Sequence, residues 1–358
     1  MSYSDQLILM YTNYKITFMD ICNYLYNNIY NKINNGLNYL YIMGYKYRMS
    51  KMNIELYDDY DYDYDYEYYA DEFIFDRKND LVSQDVMYFS YREEFVPLSN
   101  GMTNDIGWGC MVRTGQMMLY ETLKRNKKFC LKNGNIDILF YDIPTSPFSI
   151  HRFTQFGEIH NIPVGSWFSP SSLIITLKDL VTNSPANDYL KVIASSNTIY
   201  KKKIREELKN RECLLLISVM VGVGYVSEVY NDQITKCLEH YTTVGIIGGK
   251  PRKSLYFIGS HDDKLIYLDP HMVKKAFVDN QTHFQDNKFV GSTEIAYMDP
   301  CMILCFYFKN EKDLLNLESF VKTNFKDNDI LFGFREEEIQ TKVKAVDDGE
   351  WVGIISDD

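Results

Sequence analysis

The chain has 358 residues, enough for one large domain or two smaller ones with a sizeable core, and 46% of them are hydrophobic, which suits a globular protein. With 38 Lys and Arg against 49 Asp and Glu, the net charge of -11 argues against a nucleic-acid binder, which carries a basic face. No run approaches the ~20 apolar residues of a membrane span, and the seven dispersed cysteines form no disulfide framework, so a cytoplasmic protein in a reducing compartment is expected.

In chain order, the first stretch is unlike the rest. Residues 1–75 are crowded with Tyr and Asn, and Asp58 to Tyr69 reads DDYDYDYDYEYY. Like charges at every second position repel one another and make strand pairing costly, so this part reads as a low-complexity, disordered or loosely attached arm. A folded domain is expected from 76 to 343, and an acidic tail from 344 to 358. Asp85 to Arg92 reads as a strand or buried entry segment, followed by a loop through Pro97, Asn100 and Gly101.

The next stretch is the chemical one. Asp105-Ile106-Gly107-Trp108-Gly109-Cys110 runs into helix formers with apolar residues at helical spacing, predicting a helix over Met111 to Lys127. A cysteine at a helix start lies in the positive field of unpaired N–H groups, which favours thiolate over thiol and makes a nucleophile. Gly115 within the helix costs about 1 kcal/mol relative to alanine, and a close packing partner is the expected reason.

A proline-containing region then carries Gly165-Ser166-Trp167-Phe168-Ser169-Pro170, after which Ser171 and Ser172 are expected to cap a helix reaching about Val181. The charged stretch Ile199 to Asn210 predicts an amphipathic helix, Leu214 to Val221 a buried strand, and Val229 to His240 a short helix. Ser254 to Ile258 and Leu265 to Leu268 predict a hairpin with its turn at His261, and a strand at Met302 to Phe308 and a helix from Glu311 to Phe325 close the domain. The composition of elements is mixed α and β.

At the end of the hairpin stands Asp269-Pro270-His271. Residues two apart in an extended segment point to the same side, so the carboxylate can hold one imidazole nitrogen and leave the other to a thiolate. A turn with an exposed histidine fits the same three residues, since Asp-Pro favours turns. The other histidines have no such arrangement, and the pairing of Cys110 with His271 rests on elimination and local context. Cys237 and His240 make one CxxH pair without a second, so no metal site is expected, and no cofactor.

The run Asp105 to Met117 resembles the nucleophile segment of the autophagin family, the autophagy-related protein 4 cysteine peptidases. In the same order, Gly165 to Pro170 resembles that family's substrate-lid tryptophan segment and Val244 to Pro251 its regulatory loop. Tyr256 to Gly259 followed by Leu265 to His271 resembles its aspartate–histidine strand. The four segments cover roughly Tyr88 to Val321. Val112 and Thr114 depart from the family's usual leucine and second cysteine, and the stretch between Lys128 and Phe148 is shorter than its usual counterpart.

The resemblance implies an α+β, papain-like cysteine peptidase fold with a small accessory subdomain. It implies Cys110 as nucleophile, His271 as general base and acid, Asp269 as the residue orienting the histidine, and Tyr91 as an oxyanion donor. Trp167 and Pro251 would roof and gate a slot that admits glycine. The implied partner is the ubiquitin-like autophagy-related protein 8, cleaved after a glycine near its C-terminus both as free precursor and from its phosphatidylethanolamine conjugate. Membrane contact would then come through the lipidated substrate. In the tail, Trp351 and Ile354 stand as an aromatic and an aliphatic behind acidic residues, a pattern that binds the same modifier by strand addition. Two other readings fit the same segments: an inactive modifier-binding module and a thiol acyltransferase.

Overall fold

The computed structural model describes residues 15–16, 38–49, 54–56, 86–261, 263–278, 290–325 and 329–337. Its strands are β1 (Lys15–Ile16), β2 (Asn38–Ile42), β3 (Tyr45–Met49), β4 (Ile54–Leu56), β5 (Val86–Met87), β6 (Tyr91–Glu93), β7 (Leu190–Ser195) and β8 (Thr198–Tyr200), then β9 (Glu212–Met220), β10 (Thr243–Lys250), β11 (Lys253–His261), β12 (Lys264–Leu268), β13 (Val273–Lys275), β14 (Val290–Glu294), β15 (Cys301–Phe308) and β16 (Gly333–Arg335). Its helices are α1 (Cys110–Arg125), α2 (Lys127–Asn133), α3 (Ile150–Ile159), α4 (Pro170–Thr182), α5 (Lys201–Leu208), α6 (Asn231–Glu239) and α7 (Glu311–Asn324). None of these helices is long and apolar enough to cross a membrane.

The main sheet runs β4-β3-β2-β11-β10-β15-β9-β7, with β12 and β14 branching from β11. β7 and β9 pair in parallel and the other ladders of this sheet are antiparallel. Its centre is made by two nearly unbroken apolar runs, CLLLISV in β9 and MILCFYF in β15, which is the pattern of a strand covered on both faces. The two-residue period divides them cleanly. Leu214, Leu216, Ile303, Cys305 and Tyr307 enter one core, whereas Leu215, Ile217, Met302, Leu304 and Phe306 enter the other. α1, α3 and α4 contribute Met117, Phe153 and Leu177 to the first core, and α5, α6 and α7 contribute Ile204, Leu238 and Leu317 to the second. The sheet is therefore the middle layer of three.

α1 is buried at every position from Cys110 to Leu123, a helix enclosed on all sides rather than an amphipathic one. A Cβ at Gly115 would lie 2.7 Å from Leu173 Cδ1 on α4, so the glycine is where the two helices touch, as its position in a helix interior predicts.

Several boundaries differ from the sequence reading, each for a physical reason. α1 begins at Cys110 itself. α4 is capped by Ser169, whose hydroxyl accepts the Ser172 N–H at 3.1 Å, with Pro170 in the first turn; proline suits that position because its missing N–H has no partner there. The Val244 to Pro251 segment is not a loop but strand β10, buried through Gly249, and only Pro251 and Arg252 form the turn into β11. His261 is not a turn residue: it ends β11, buried, paired with Lys264 and Leu40.

Within residues 1–75, the described stretch 38–49 is ordered. There β2 and β3 form a hairpin turning at Met43 and Gly44, and β2 pairs along Gly259 to His261 of β11. Leu40 and Ile42 are buried in the first core, which compensates for ordering the segment. The acidic run Asp58 to Tyr69 and the tail pair Trp351 and Ile354 lie outside the described residues.

Candidate active site

The site forms where the start of α1 meets the start of β11 and the end of β12. The turn before the helix needs its two glycines. Gly107 has φ +85°, in the left-handed region, and a Cβ on Gly109 would fall 2.3 Å from the Asp105 carboxylate. Gly109 is the N-cap and carries no capping side chain, so the first N–H groups of α1 remain available around the Cys110 sulfur.

Asp269 and His271 follow β12 directly. Asp269 Oδ1 accepts from the His271 backbone N–H at 2.9 Å and faces His271 Nδ1 at 2.5 Å. The Tyr88 hydroxyl donates to the Asp269 carbonyl at 2.5 Å. His271 Nε2 is buried without a hydrogen-bond partner among the described residues, and the Cys110 thiol is one of the two groups that raise its pKa, after Asp269. Tyr91 joins from β6: its N–H donates to the Pro270 carbonyl at 2.8 Å, β6 pairs in parallel with β13, and its ring stands edge-on to His271 with centroids 5.3 Å apart.

The electrostatics follow from these contacts. Burial alone would push the Cys110 thiol up, but hydrogen bonds from His271, from the Ser254 backbone and from Tyr91 outweigh it and draw the thiol below its ordinary value. Burial likewise draws His271 down, and its bonds to Asp269 and Cys110 more than reverse this, leaving it raised to about 9. Asp269, pushed up by burial, is held below the usual carboxylate range by His271. Burial and the adjacent sulfur push the Tyr91 phenol well up, so it remains a donor. The remaining described cysteines all move the other way: burial raises Cys130, Cys213, Cys237, Cys301 and Cys305. Among the described residues no group of three His, Cys, Asp or Glu is placed to hold a metal ion.

Behind Cys110 lies a buried ionic clamp that the sequence reading missed. Arg113 donates from Nε to Asp105 at 2.7 Å and from Nη1 to Asp142 at 2.7 Å and to Gln116 at 3.0 Å. Asp105 also accepts the Arg92 N–H at 2.5 Å, and Asp142 the Phe277 N–H at 2.9 Å. All three charged members are fully buried. The clamp ties the turn before Cys110 to β6, to the loop at 142 and to the segment after β13. A signal existed in the sequence, since Arg113 interrupts a helix otherwise destined for the core.

The structure thus brings together Cys110, Tyr91, Asp269 and His271. Trp167 and Pro251 are not joined to them by any hydrogen bond or ring contact among the described residues. Trp167 is 42% exposed, which excludes an ordinary core tryptophan, and Pro251 is exposed in the β10–β11 turn. The buried tryptophan of this region is Trp108.

Comparison with known proteins adds the family. The family described as Peptidase C54 catalytic domain matches residues 77–320. A probable cysteine protease ATG4 of Vanderwaltozyma polyspora is 31% identical over 283 residues, covering 66% of this chain and 68% of that protein. The cysteine protease ATG4 of Saccharomyces cerevisiae is 32% identical over 238 residues, covering 62% of this chain and 48% of its own length. Cysteine protease ATG4A of Xenopus laevis is 28% identical over 290 residues, covering 67% and 72%. The chain therefore spans about half the length of the Saccharomyces relative and about two thirds or more of the other two.

Proposed function

We propose a reaction from one premise: this chain belongs to the peptidase C54 family and is a cysteine peptidase of papain-like fold. The proposal is that it cleaves after the C-terminal glycine of the ubiquitin-like autophagy-related protein 8, maturing the precursor and releasing the modifier from phosphatidylethanolamine. The observation that carries it is the chemistry of Cys110, the one described cysteine whose thiol is drawn down, beside an imidazole held by a carboxylate.

In this reading the Cys110 thiolate attacks the glycine carbonyl, and the developing oxyanion is met by the Tyr91 hydroxyl and the Cys110 backbone N–H at the helix start. The tetrahedral intermediate collapses to a thioester as the C–N bond breaks, and His271 gives its proton to the departing amine. His271, now neutral, takes a proton from water, which attacks the thioester and returns Cys110 as thiolate and His271 as imidazolium. Asp269 holds the ring in place through both halves.

The finer assignments rest on the resemblance together with placement. Exposed Trp167 and the Pro251 turn are assigned to substrate binding, α2 and α3 to a small accessory subdomain, and Trp351 with Ile354 to a modifier-binding motif of the tail. The site of action is the cytoplasm, with membrane contact only through the lipidated substrate. An exposed acceptor amine would divert the same thioester to an amide, so the product decides between hydrolysis and acyl transfer.

The test incubates the purified protein with a precursor modifier carrying residues beyond its glycine and weighs the products. The expected result is a free glycine carboxylate, lost on Cys110→Ala while binding persists. Cleavage by the alanine variant would refute the assignment of the nucleophile.

A further inference from the structure

Two buried hydroxyls lie beside the nucleophile and take no part in the reaction as described. Thr114, one turn into α1, has its Oγ1 2.9 Å from the Met111 carbonyl and 3.0 Å from Ser254 Oγ on β11. A carbonyl only accepts, so the single Thr114 proton goes to Met111, and the Ser254 hydroxyl is the donor between the two. Both residues are buried, and Ser254 Oγ also lies 3.5 Å from Met111 Sδ. This pair is a direct polar tie between the helix that bears Cys110 and the strand that faces it.

The register says what the tie holds. β10 and β11 are joined by the two-residue turn Pro251–Arg252, so Lys250 and Lys253 flank it and Gly249 stands opposite Ser254. In an antiparallel ladder the hydrogen-bonded and non-hydrogen-bonded pairs alternate, and the pair flanking a two-residue turn is a bonded one. Gly249 and Ser254 are then a non-bonded pair, with their polar groups turned away from each other. In agreement, the Gly249 carbonyl accepts instead from the Asp299 N–H at 2.6 Å. The Ser254 N–H therefore faces the β12 side, but the β11–β12 ladder stops at Tyr256 and Leu268, two residues short of it. Among the described residues no strand occupies that place, and the Ser254 backbone is one of the groups that draw the Cys110 thiol down.

We propose that Thr114 and Ser254 are positioning residues for the nucleophile: their hydroxyl pair locks the first turns of α1 to the start of β11 and so presents the Ser254 backbone N–H to the Cys110 sulfur. The proposal rests on Cys110 being the nucleophile and adds a donor from the strand to those from His271 and Tyr91. A hydroxyl of either kind serves at 114, whereas an isosteric valine removes the tie without changing the volume of the side chain. Because the two hydroxyls act as one unit, removing both costs no more than removing one.

The test is the pH dependence of Cys110 alkylation by iodoacetamide, followed by peptide mass spectrometry in the full chain. Wild type, Thr114→Val, Thr114→Ser, Ser254→Ala and the Thr114→Val/Ser254→Ala double variant are compared. The alkylation midpoint is expected to rise by about one unit in Thr114→Val and Ser254→Ala, a roughly tenfold slower reaction on the acid side. The double variant should match the singles, Thr114→Ser should follow wild type, and all rates should converge at high pH. A lowered wild-type midpoint that every variant shares overturns the positioning role and leaves the nucleophile standing. An ordinary thiol midpoint in wild type overturns both. Loss of melting temperature without a shifted midpoint also counts against the proposal, since it is what a merely structural pair would give.

Discussion

At the scale of single residues, the proposed site sets a thiol drawn below its ordinary value beside an imidazole raised above its own, so its limits come from opposite sides. Cys110 is drawn below its usual range and His271 is raised to about 9, so turnover should rise as the thiol ionises and fall as His271 loses its proton near pH 9. Asp269→Asn removes the carboxylate that outweighs burial at His271, so the alkaline limb should move to lower pH and kcat should fall by about 10³-fold or more. A pH–rate profile checks both, and an unmoved limb would show that Asp269 does not govern the histidine. The same shift has a sign in stability. A folded-state pKa above the ordinary 6.5 contributes stability that is fully present below pH 6.5 and lost as pH rises through 9. The melting difference between wild type and Asp269→Asn should therefore shrink above pH 9. Cys110 and the Asp269–His271 pair were legible because their local sequence carries the physics, a helix start in one case and an i, i+2 pair in the other. Ser254 was not legible, because its contribution is a backbone N–H that is free only where a neighbouring strand stops.

Among the elements, α1 shows what a fully buried helix demands of its polar residues. Arg113 is fully buried, and its two carboxylate partners come from eight residues before it and from the loop 29 residues after it. Breaking a buried ion pair by removing one partner leaves a charge without compensation, at a cost of about 3–5 kcal/mol. Arg113→Ala should therefore lower the urea midpoint by that equivalent, and it should also slow Cys110 alkylation, because Asp105 packs against the Gly109 turn. A stability loss with unaltered thiol reactivity would confine the clamp to folding. Helix α1 and the apolar strands β9 and β15 were legible from period and composition. Strand β10 was not, because Gly245, Gly248 and Gly249 imitate a loop and only its neighbours β11 and β15 make it a strand. Asp142 was equally hidden, since nothing near it in sequence announces a buried arginine.

For the molecule as a whole, the least foreseen feature is the way the N-terminal region enters the sheet. Composition separates residues 1–75 from the rest, yet β2 lies so close on β11 that a Cβ at Gly259 would meet the Tyr41 carbonyl at 2.0 Å. This strand closes an edge that would otherwise leave Gly259 to His261 unpaired on that side, and unpaired edges invite association with other chains. Leu40, Ile42 and Met43 are buried with it, and each apolar side chain contributes about 1.5–3 kcal/mol. Removing residues 1–50 should thus lower the urea midpoint by an equivalent of about 3 kcal/mol or more, and amide exchange at Ser260, whose N–H faces β2, should accelerate while β9 and β15 stay protected. The active site is on the far end of the β11–β12 ladder from this hairpin, so Cys110 alkylation in the truncated protein should keep its wild-type pH midpoint under native conditions. Unchanged stability and exchange would mean that the hairpin is an appendage; a shifted midpoint would mean that β11 transmits the state of its edge to the nucleophile.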